Sequence, residues 1–242
     1  QDILTDDNFR HKVVEKMQDR VLRNYWVNEF EQMQPRLKSE SISPILNKVG
    51  QFTSSVLMRN IIKSPKSTIN LENIMDEGKV VIMNLSQGRI GEDNAALLGA
   101  MMITKIQLAA MNRVAMPEAQ RKDFYLYVDE FQNFATTSFI KILSEARKYR
   151  LNLILANQYI SQVPEDVRAA IFGNVGTMMS FLVGAQDSAF IGKEFGERFK
   201  PEDLLLLGSY QAIVKLSVDG ITQAPFLSTT LPLPKSATQN RE

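Results

Sequence analysis

The segment from Asp123 to Glu130 constrains the fold of this chain more than any other, because a short apolar strand ends there in two adjacent carboxylates. Residues Phe124–Val128 are aromatic or β-branched apart from one leucine, which is typical of a parallel-sheet strand that is buried on both faces. Asp129 and Glu130 follow directly. Ligands of α/β proteins bind beyond the carboxyl ends of parallel strands, so we expect both carboxylates at a ligand site.

Two adjacent carboxylates in this position suit nucleotide hydrolysis. The first, Asp129, would hold Mg²⁺ through the water shell of the ion. The second, Glu130, would orient and polarise the attacking water. An ordinary alternative stays open for this segment alone, since many strands end in Asp or Glu that merely caps or charges the start of the next helix.

Strand and helix patterns alternate along most of the chain, which predicts an α/β fold with a mostly parallel sheet and helices on both faces. The predicted strands cover residues 80–85, 124–128, 151–156 and 177–183, and an antiparallel hairpin turns at Asp219-Gly220. The predicted domains are a helical subdomain at 1–66, the α/β domain at 67–234 and a polar tail at 235–242.

Polar or flexible residues lie at the carboxyl end of each predicted parallel strand and should meet at one edge of the sheet. They are Asn84, the Asp129-Glu130 pair, Gln158 and Gly184. A glutamine amide at this edge can bind both a γ-phosphate and a catalytic water, and so detect the phosphate. The alternative for Gln158 is that it caps the turn after its strand.

Arg147 and Lys148 close the helix that precedes the strand at 151–156. Cations are favourable at a helix C-terminus, so a structural role is sufficient for both. In a ring of subunits the same side of the sheet could face the nucleotide of a neighbouring copy, where Arg147 would stabilise transition-state charge.

The composition excludes several classes of site. The chain has no cysteine and one histidine, His11, so disulfides and His/Cys metal centres are excluded and a Ser-His-Asp triad has little support. The net charge of +1 gives no overall basic signal, so DNA contacts would come from a local patch or an assembled ring. The apolar run at 95–111 contains Lys105, which favours a core helix over a membrane span.

A phosphate-binding loop of the form G-x-x-x-x-G-K-[ST] does not occur in residues 1–242. Gly-Lys occurs at Gly78-Lys79 and at Gly192-Lys193, and neither pair is followed by Ser or Thr. Residues 1–242 therefore supply no loop of this form to hold a triphosphate with backbone amides.

The order and spacing of several motifs resemble the HerA–FtsK superfamily, and within it the coupling-protein ATPases of type IV secretion and conjugation. The matching stretches are 84–91, 127–134 (YVDEFQNF), 145–150 (EARKYR), 156–159 (ANQY) and 173–177 (GNVGT). The resemblance covers roughly residues 70–234 and is more specific than any single motif.

This resemblance implies a RecA-like P-loop NTPase fold, a homo-hexameric ring, and ATP- and Mg²⁺-dependent movement of DNA that is independent of sequence. It implies the Walker B magnesium position for Asp129, the catalytic base for Glu130, the sensor for Gln158 and the trans-acting arginine for Arg147. The phosphate loop of the family should precede this segment, and the strand before that loop should lie between the strands at 151–156 and 177–183. Residues 1–242 would then be the C-terminal part of a motor, with an unpaired gap in its sheet.

Secretion-system or relaxase proteins are the further partners implied. The location implied is the cytoplasm. Upstream segments would place the protein at the cytoplasmic face of the inner membrane. Two alternatives stay open from the sequence: an inactive docking module derived from such an ATPase, and a HerA-type motor for DNA processing or packaging. The sequence does not indicate which residues contact DNA.

Overall fold

A computed structural model describes residues 1–136 and 138–232, and for Gln51 and Ser138 it describes the backbone alone. The chain divides into two compact units, one of residues 1–69 and 85–95 and the other of residues 70–84 and 96–242. The domain limits predicted at residues 66 and 234 stay predictions, and the predicted tail at 235–242 lies outside the described residues.

The first unit is helical. A π-helix at Tyr25–Phe30 follows α3. In chain order its helices are α1 (Asp2–Thr5), α2 (Asp7–Glu15), α3 (Arg20–Asn24), α4 (Pro35–Ser54) and α5 (Val56–Ile62).

Phe30 is the largest buried apolar side chain of this unit and is 2% exposed. The buried Arg10 guanidinium lies 5.1 Å from the Phe30 ring centroid and forms ion pairs with Asp7 and Glu31. The Trp26 ring packs edge-on to Phe30 at 4.8 Å between centroids. Cation–π and ring contacts of this kind stabilise a small helical core that has few large aliphatic side chains.

The second unit combines helices with short strands. The helices from residue 70 onward are α6 (Leu71–Glu77), α7 (Gln87–Ile90, in the first unit), α8 (Glu92–Asn112), α9 (Ser138–Glu145), α10 (Glu165–Asn174), α11 (Ala185–Phe195) and α12 (Pro201–Leu205). The strands are β1 (Phe124–Val128), β2 (Leu151–Leu155), β3 (Met178–Ser180), β4 (Gln211–Lys215), β5 (Ser217–Val218), β6 (Ile221–Thr222) and β7 (Phe226–Thr229). The predicted α/β class is thus confirmed.

The hydrogen-bonded strands form three separate groups. β1 pairs with β2 in parallel, β3, β4 and β7 form an antiparallel sheet in the order β3-β4-β7, and β5 pairs with β6. Within the described residues β2 and β3 are not hydrogen-bonded to each other. This separation of β2 from β3 lies at the place in the sheet where the family resemblance predicts a gap without a paired strand.

Three details of the predicted sheet are wrong. Residues 80–85 form no strand, and Val80 and Ile82 are 87% and 90% exposed, because none of the described strands lies beside the apolar residues 80–83 to form a sheet with them. β1 is buried on one face alone, since Tyr125 and Tyr127 are exposed. The strand predicted at 177–183 pairs antiparallel with β4 rather than extending a parallel sheet.

The core of the second unit lies between β1, β2 and the helices α8, α9 and α10. From α8 it receives Ile103, Ile106 and Ala110, as expected of a core helix. By length and composition alone, Glu92–Ala115 is also the one helical segment among the described residues that could cross a membrane. Such a signal is weak, because core helices of soluble proteins often give it.

Candidate functional site

The site begins where β1 and β2 end. The two strands run parallel in a register that pairs Val128 with Leu155. Their hydrogen bonds continue past the strand ends: Ala156 N donates to Val128 O at 2.9 Å, and Phe131 N donates to Ala156 O at 2.8 Å. The residues after β1 are therefore held beside the residues after β2, at the carboxyl edge where α/β proteins bind ligands.

Glu130 has a left-handed backbone, with φ of 50° and ψ of 46°. This conformation is unusual for a residue with a β-carbon and costs about 1 kcal/mol or more. A short 3-10 turn, Phe131–Asn133, follows it. Phe131 anchors the turn, since its side chain is fully buried and its ring lies 4.6 Å from that of Phe139. The bend turns the Glu130 carboxylate back across the edge of the sheet.

Two glutamine amides bind the Glu130 carboxylate, one at each oxygen. Gln132 Nε2 donates to Oε2 at 2.6 Å, and Gln158 Nε2 donates to Oε1. Uncharged donors hold a carboxylate in place without a counter-charge. The two amides thus fix the orientation of the Glu130 carboxylate, which a general base needs.

Asp129 is exposed beside this cluster, and its Oδ1 accepts a hydrogen bond from the Glu130 N–H at 2.9 Å. An exposed carboxylate with a remaining oxygen is a suitable outer ligand for hydrated Mg²⁺. Among the described residues no group of three or more His, Cys, Asp or Glu side chains could hold a metal ion by itself. A single exposed carboxylate such as Asp129 suits an ion that takes its other ligands from water.

The structure does not bring Arg147 to this cluster. Arg147 lies exposed on the 3-10 turn Ala146–Tyr149, which leads into the first residue of β2, whereas Gln158 follows the other end of the strand. Five residues of strand separate the two ends by about 16 Å. Within one copy of the chain Arg147 is therefore remote from Glu130.

The predicted edge is also smaller than expected. Asn84 lies in the segment 80–85, which forms no strand, and the strand that precedes Gly184 is hydrogen-bonded to β4. Of the four positions predicted there, the structure brings together the Asp129-Glu130 pair and Gln158.

The structure adds two residues that were not predicted from the sequence. Gln132 binds Glu130. The one sequence feature that could have indicated this contact is the position of Gln132 two residues after Glu130. The buried Asp187 on α11 accepts the backbone N–H groups of Ile160 and Ser161 at 3.1 and 3.0 Å, and so fixes the loop after Gln158. From the sequence Asp187 is an ordinary first-turn acid of a helix.

The comparison with family models matches the part of the chain that carries this site. Residues 123–199 match the family described as the TraM recognition site of TraD and TraG. This segment is a conjugation coupling-protein-like region. The coupling-protein-like region extends from β1 beyond α11 and contains Asp129, Glu130, Arg147 and Gln158.

A solved structure shows a similar fold over most of the chain. It is a bacterial conjugative coupling protein, TrwBdeltaN70, in an unbound monoclinic form, with a TM-score of 0.56 and 10% sequence identity. The similarity covers 91% of this chain, which spans 60% of that chain. The predicted RecA-like fold is confirmed. None of the curated proteins matches this chain.

Proposed function

We propose that this chain is part of an ATP-hydrolysing motor that moves DNA in bacterial conjugation or type IV secretion. The observation that carries the proposal is the Glu130 carboxylate, bound at both oxygens by glutamine amides beside Asp129. The surrounding segment is similar to coupling proteins, so the chemistry and the family likeness support the same function.

In this mechanism Glu130 accepts a hydrogen bond from the attacking water and orients it towards the γ-phosphate. Asp129 would hold Mg²⁺ through the water shell of the ion, and the bound ion would neutralise charge on the phosphate oxygens. Gln158 already donates to Glu130 Oε1, so its amide can exchange that oxygen for a phosphate oxygen. Its proposed role is to couple the presence of the γ-phosphate to the position of Glu130.

Arg147 has its proposed role in a neighbouring copy. It is exposed and lies about a strand length from Gln158, so it cannot contact a phosphate bound beside Glu130 of its own copy. In a ring of six subunits this edge would face the adjacent nucleotide, where a guanidinium stabilises transition-state charge.

The proposed partners are DNA, bound through phosphates independently of sequence, and proteins that recruit the DNA to the motor. The family description names TraM as a protein recognised by TraD and TraG, which supports a docking partner of that kind for residues 123–199. The proposed location is the cytoplasmic face of the inner membrane.

The test is ATP hydrolysis by the full-length gene product with Glu130→Gln, which keeps the shape of the side chain and removes the base. We expect unchanged nucleotide binding and a turnover that falls by about 10²- to 10⁴-fold, the usual contribution of a positioned base. Arg147→Ala should lower turnover as well, and mixed rings should show whether it acts across subunits. Unchanged turnover in Glu130→Gln would exclude this mechanism.

The second candidate function is a docking module without turnover, and the family description as a recognition site favours it. A phosphate-binding loop elsewhere in the full-length sequence would support the motor. Partner binding by a protein whose wild-type form does not hydrolyse ATP would support the module.

A further inference from the structure

We propose that Gln132 is a positioning residue for Glu130, which fixes Oε2 of the carboxylate and leaves Oε1 to act on water. This inference rests on the proposed function, because it assigns a role to Gln132 in the same site. It also predicts different roles for the two amides. Gln132 stays hydrogen-bonded to Glu130 throughout the catalytic cycle, whereas Gln158 stays bonded to it only until phosphate binds.

The first argument is the hydrogen bonding of Gln132 itself. Its Nε2 binds Glu130 at 2.6 Å, whereas its Oε1 is buried and has no hydrogen-bond partner among the described residues. A buried acceptor without a partner lowers stability, so an apolar side chain would suit the position better on packing grounds alone. The contact that a glutamine gains here, and an apolar residue would lack, is the hydrogen bond to Glu130.

The second argument is where the two amides are anchored. Gln132 lies in the middle of the 3-10 turn whose first residue, Phe131, is fully buried. Phe134 directly follows the turn, and its ring packs closely against Gly99 of α8. Gln132 is therefore fixed to the core by residues on both sides, and its amide moves with the turn that carries Glu130.

Gln158 is anchored differently. It is exposed and lies in the loop after β2, and the fixed points of that loop are Ile160 and Ser161, which bind Asp187. The Gln158 side chain can rotate away from Glu130 without disturbing any buried residue. Of the two amides, Gln158 is thus the one that can exchange Glu130 for another acceptor.

The two contacts together determine which oxygen of the Glu130 carboxylate can bind water. When Gln158 turns to another acceptor, Oε1 loses its donor and becomes free to accept a hydrogen bond from water. Oε2 stays bound to Gln132, so the carboxylate cannot rotate and keeps the direction of Oε1. A second residue that orients a catalytic group in this way usually contributes about 10- to 100-fold to activity.

The experiment compares two variants of the full-length protein in steady-state ATP hydrolysis. Gln132→Met keeps the length of the side chain and removes the amide, and Asn133→Ala changes the same turn without removing a donor to the Glu130 carboxylate. We expect Gln132→Met to lower kcat by about 10- to 100-fold with the KM for ATP unchanged, and Asn133→Ala to keep kcat within about twofold. Equal loss in both variants would mean that the turn matters and the amide does not.

A double-variant cycle separates positioning from a general structural effect. If Gln132 acts through Glu130, adding Gln132→Met to Glu130→Gln should lower the residual turnover no further. A further loss of the same size as in the single variant would overturn the proposal. Thermal unfolding of Gln132→Met should match the wild type, because the variant also removes the unpartnered oxygen, and a large loss of stability would overturn it as well.

The outcome for Glu130→Gln alone separates this inference from the proposed function. An active Glu130→Gln protein refutes both. An inactive Glu130→Gln protein together with a fully active Gln132→Met protein keeps the proposed function and refutes the role of Gln132.

Discussion

The close contact between Gly99 and Phe134 links the long helix α8 to the turn that carries Gln132. A β-carbon added at Gly99 would lie 2.2 and 2.3 Å from two carbons of the Phe134 ring. Non-bonded carbons normally approach to about 3.5–4.0 Å, so Gly99→Ala forces the ring and the new β-carbon apart by at least about 1.3 Å. Because Phe134 directly follows the 3-10 turn, we expect the turn and Gln132 to shift with it.

The expected free energy is the sum of two opposing effects. Alanine in place of glycine in a helix interior is favourable by about 1 kcal/mol. Displacing a packed aromatic ring in a filled site costs about 1–3 kcal/mol. Gly99→Ala should therefore lower stability by about 0–2 kcal/mol, and turnover should fall even where the loss of stability is small.

Gly173 provides the matched control, because it also lies in a helix, α10, and an added β-carbon there meets no atom within 4 Å. Gly173→Ala should leave stability unchanged or raise it by up to about 1 kcal/mol. Urea unfolding followed by circular dichroism measures both variants, and hydrogen exchange at residues 130–134 reports on the turn. Equal protection of the amides of residues 130–134 from hydrogen exchange in Gly99→Ala and in the wild type would refute the proposed coupling between Gly99 and the turn.

Two further predictions concern a buried carboxylate and an acid-sensitive ion pair. Asp187→Asn leaves one of the Ile160 and Ser161 N–H groups without an acceptor, so stability should fall by about 1–3 kcal/mol and exchange of both amides should speed up; unchanged exchange would contradict this. The hydrogen bond from Arg10 holds the pKa of Glu31 below its ordinary value of 4.5, with a smaller contribution from Lys38, although burial opposes the shift. The stability that Glu31 contributes is complete above about pH 4.5 and is lost as the pH falls through the lower folded-state pKa. Fluorescence of the single tryptophan should detect acid unfolding of the first unit, and Glu31→Gln should already lack this stabilisation at neutral pH; acid midpoints that are equal would count against the ion pair.

Local sequence signals were sufficient for several parts of the fold. The apolar run at 124–128 gave β1 with its observed bounds, and Asp219-Gly220 gave the turn between β5 and β6, where both residues have positive φ. Each of these features is determined by residues that are adjacent in the sequence, so it can be predicted from the local sequence.

Features that depend on distant partners were not predictable in the same way. The apolar segment at 80–85 has strand propensity, but a strand also needs a backbone beside it. The uniformly apolar and aromatic sequence of β1 does not reveal that Tyr125 and Tyr127 face solvent. The role of Gln132 follows from the left-handed backbone of Glu130, which decides where the carboxylate points and which the sequence does not show.

That backbone has a consequence for how position 130 can vary. Glycine adopts φ of 50° without strain, so Glu130→Gly would remove the cost of the bend and also the carboxylate. Glycine, the residue that fits this backbone conformation without strain, is therefore one that could not activate water. At this position thermostability and turnover are in conflict, and selection for heat resistance alone would be expected to erode the site.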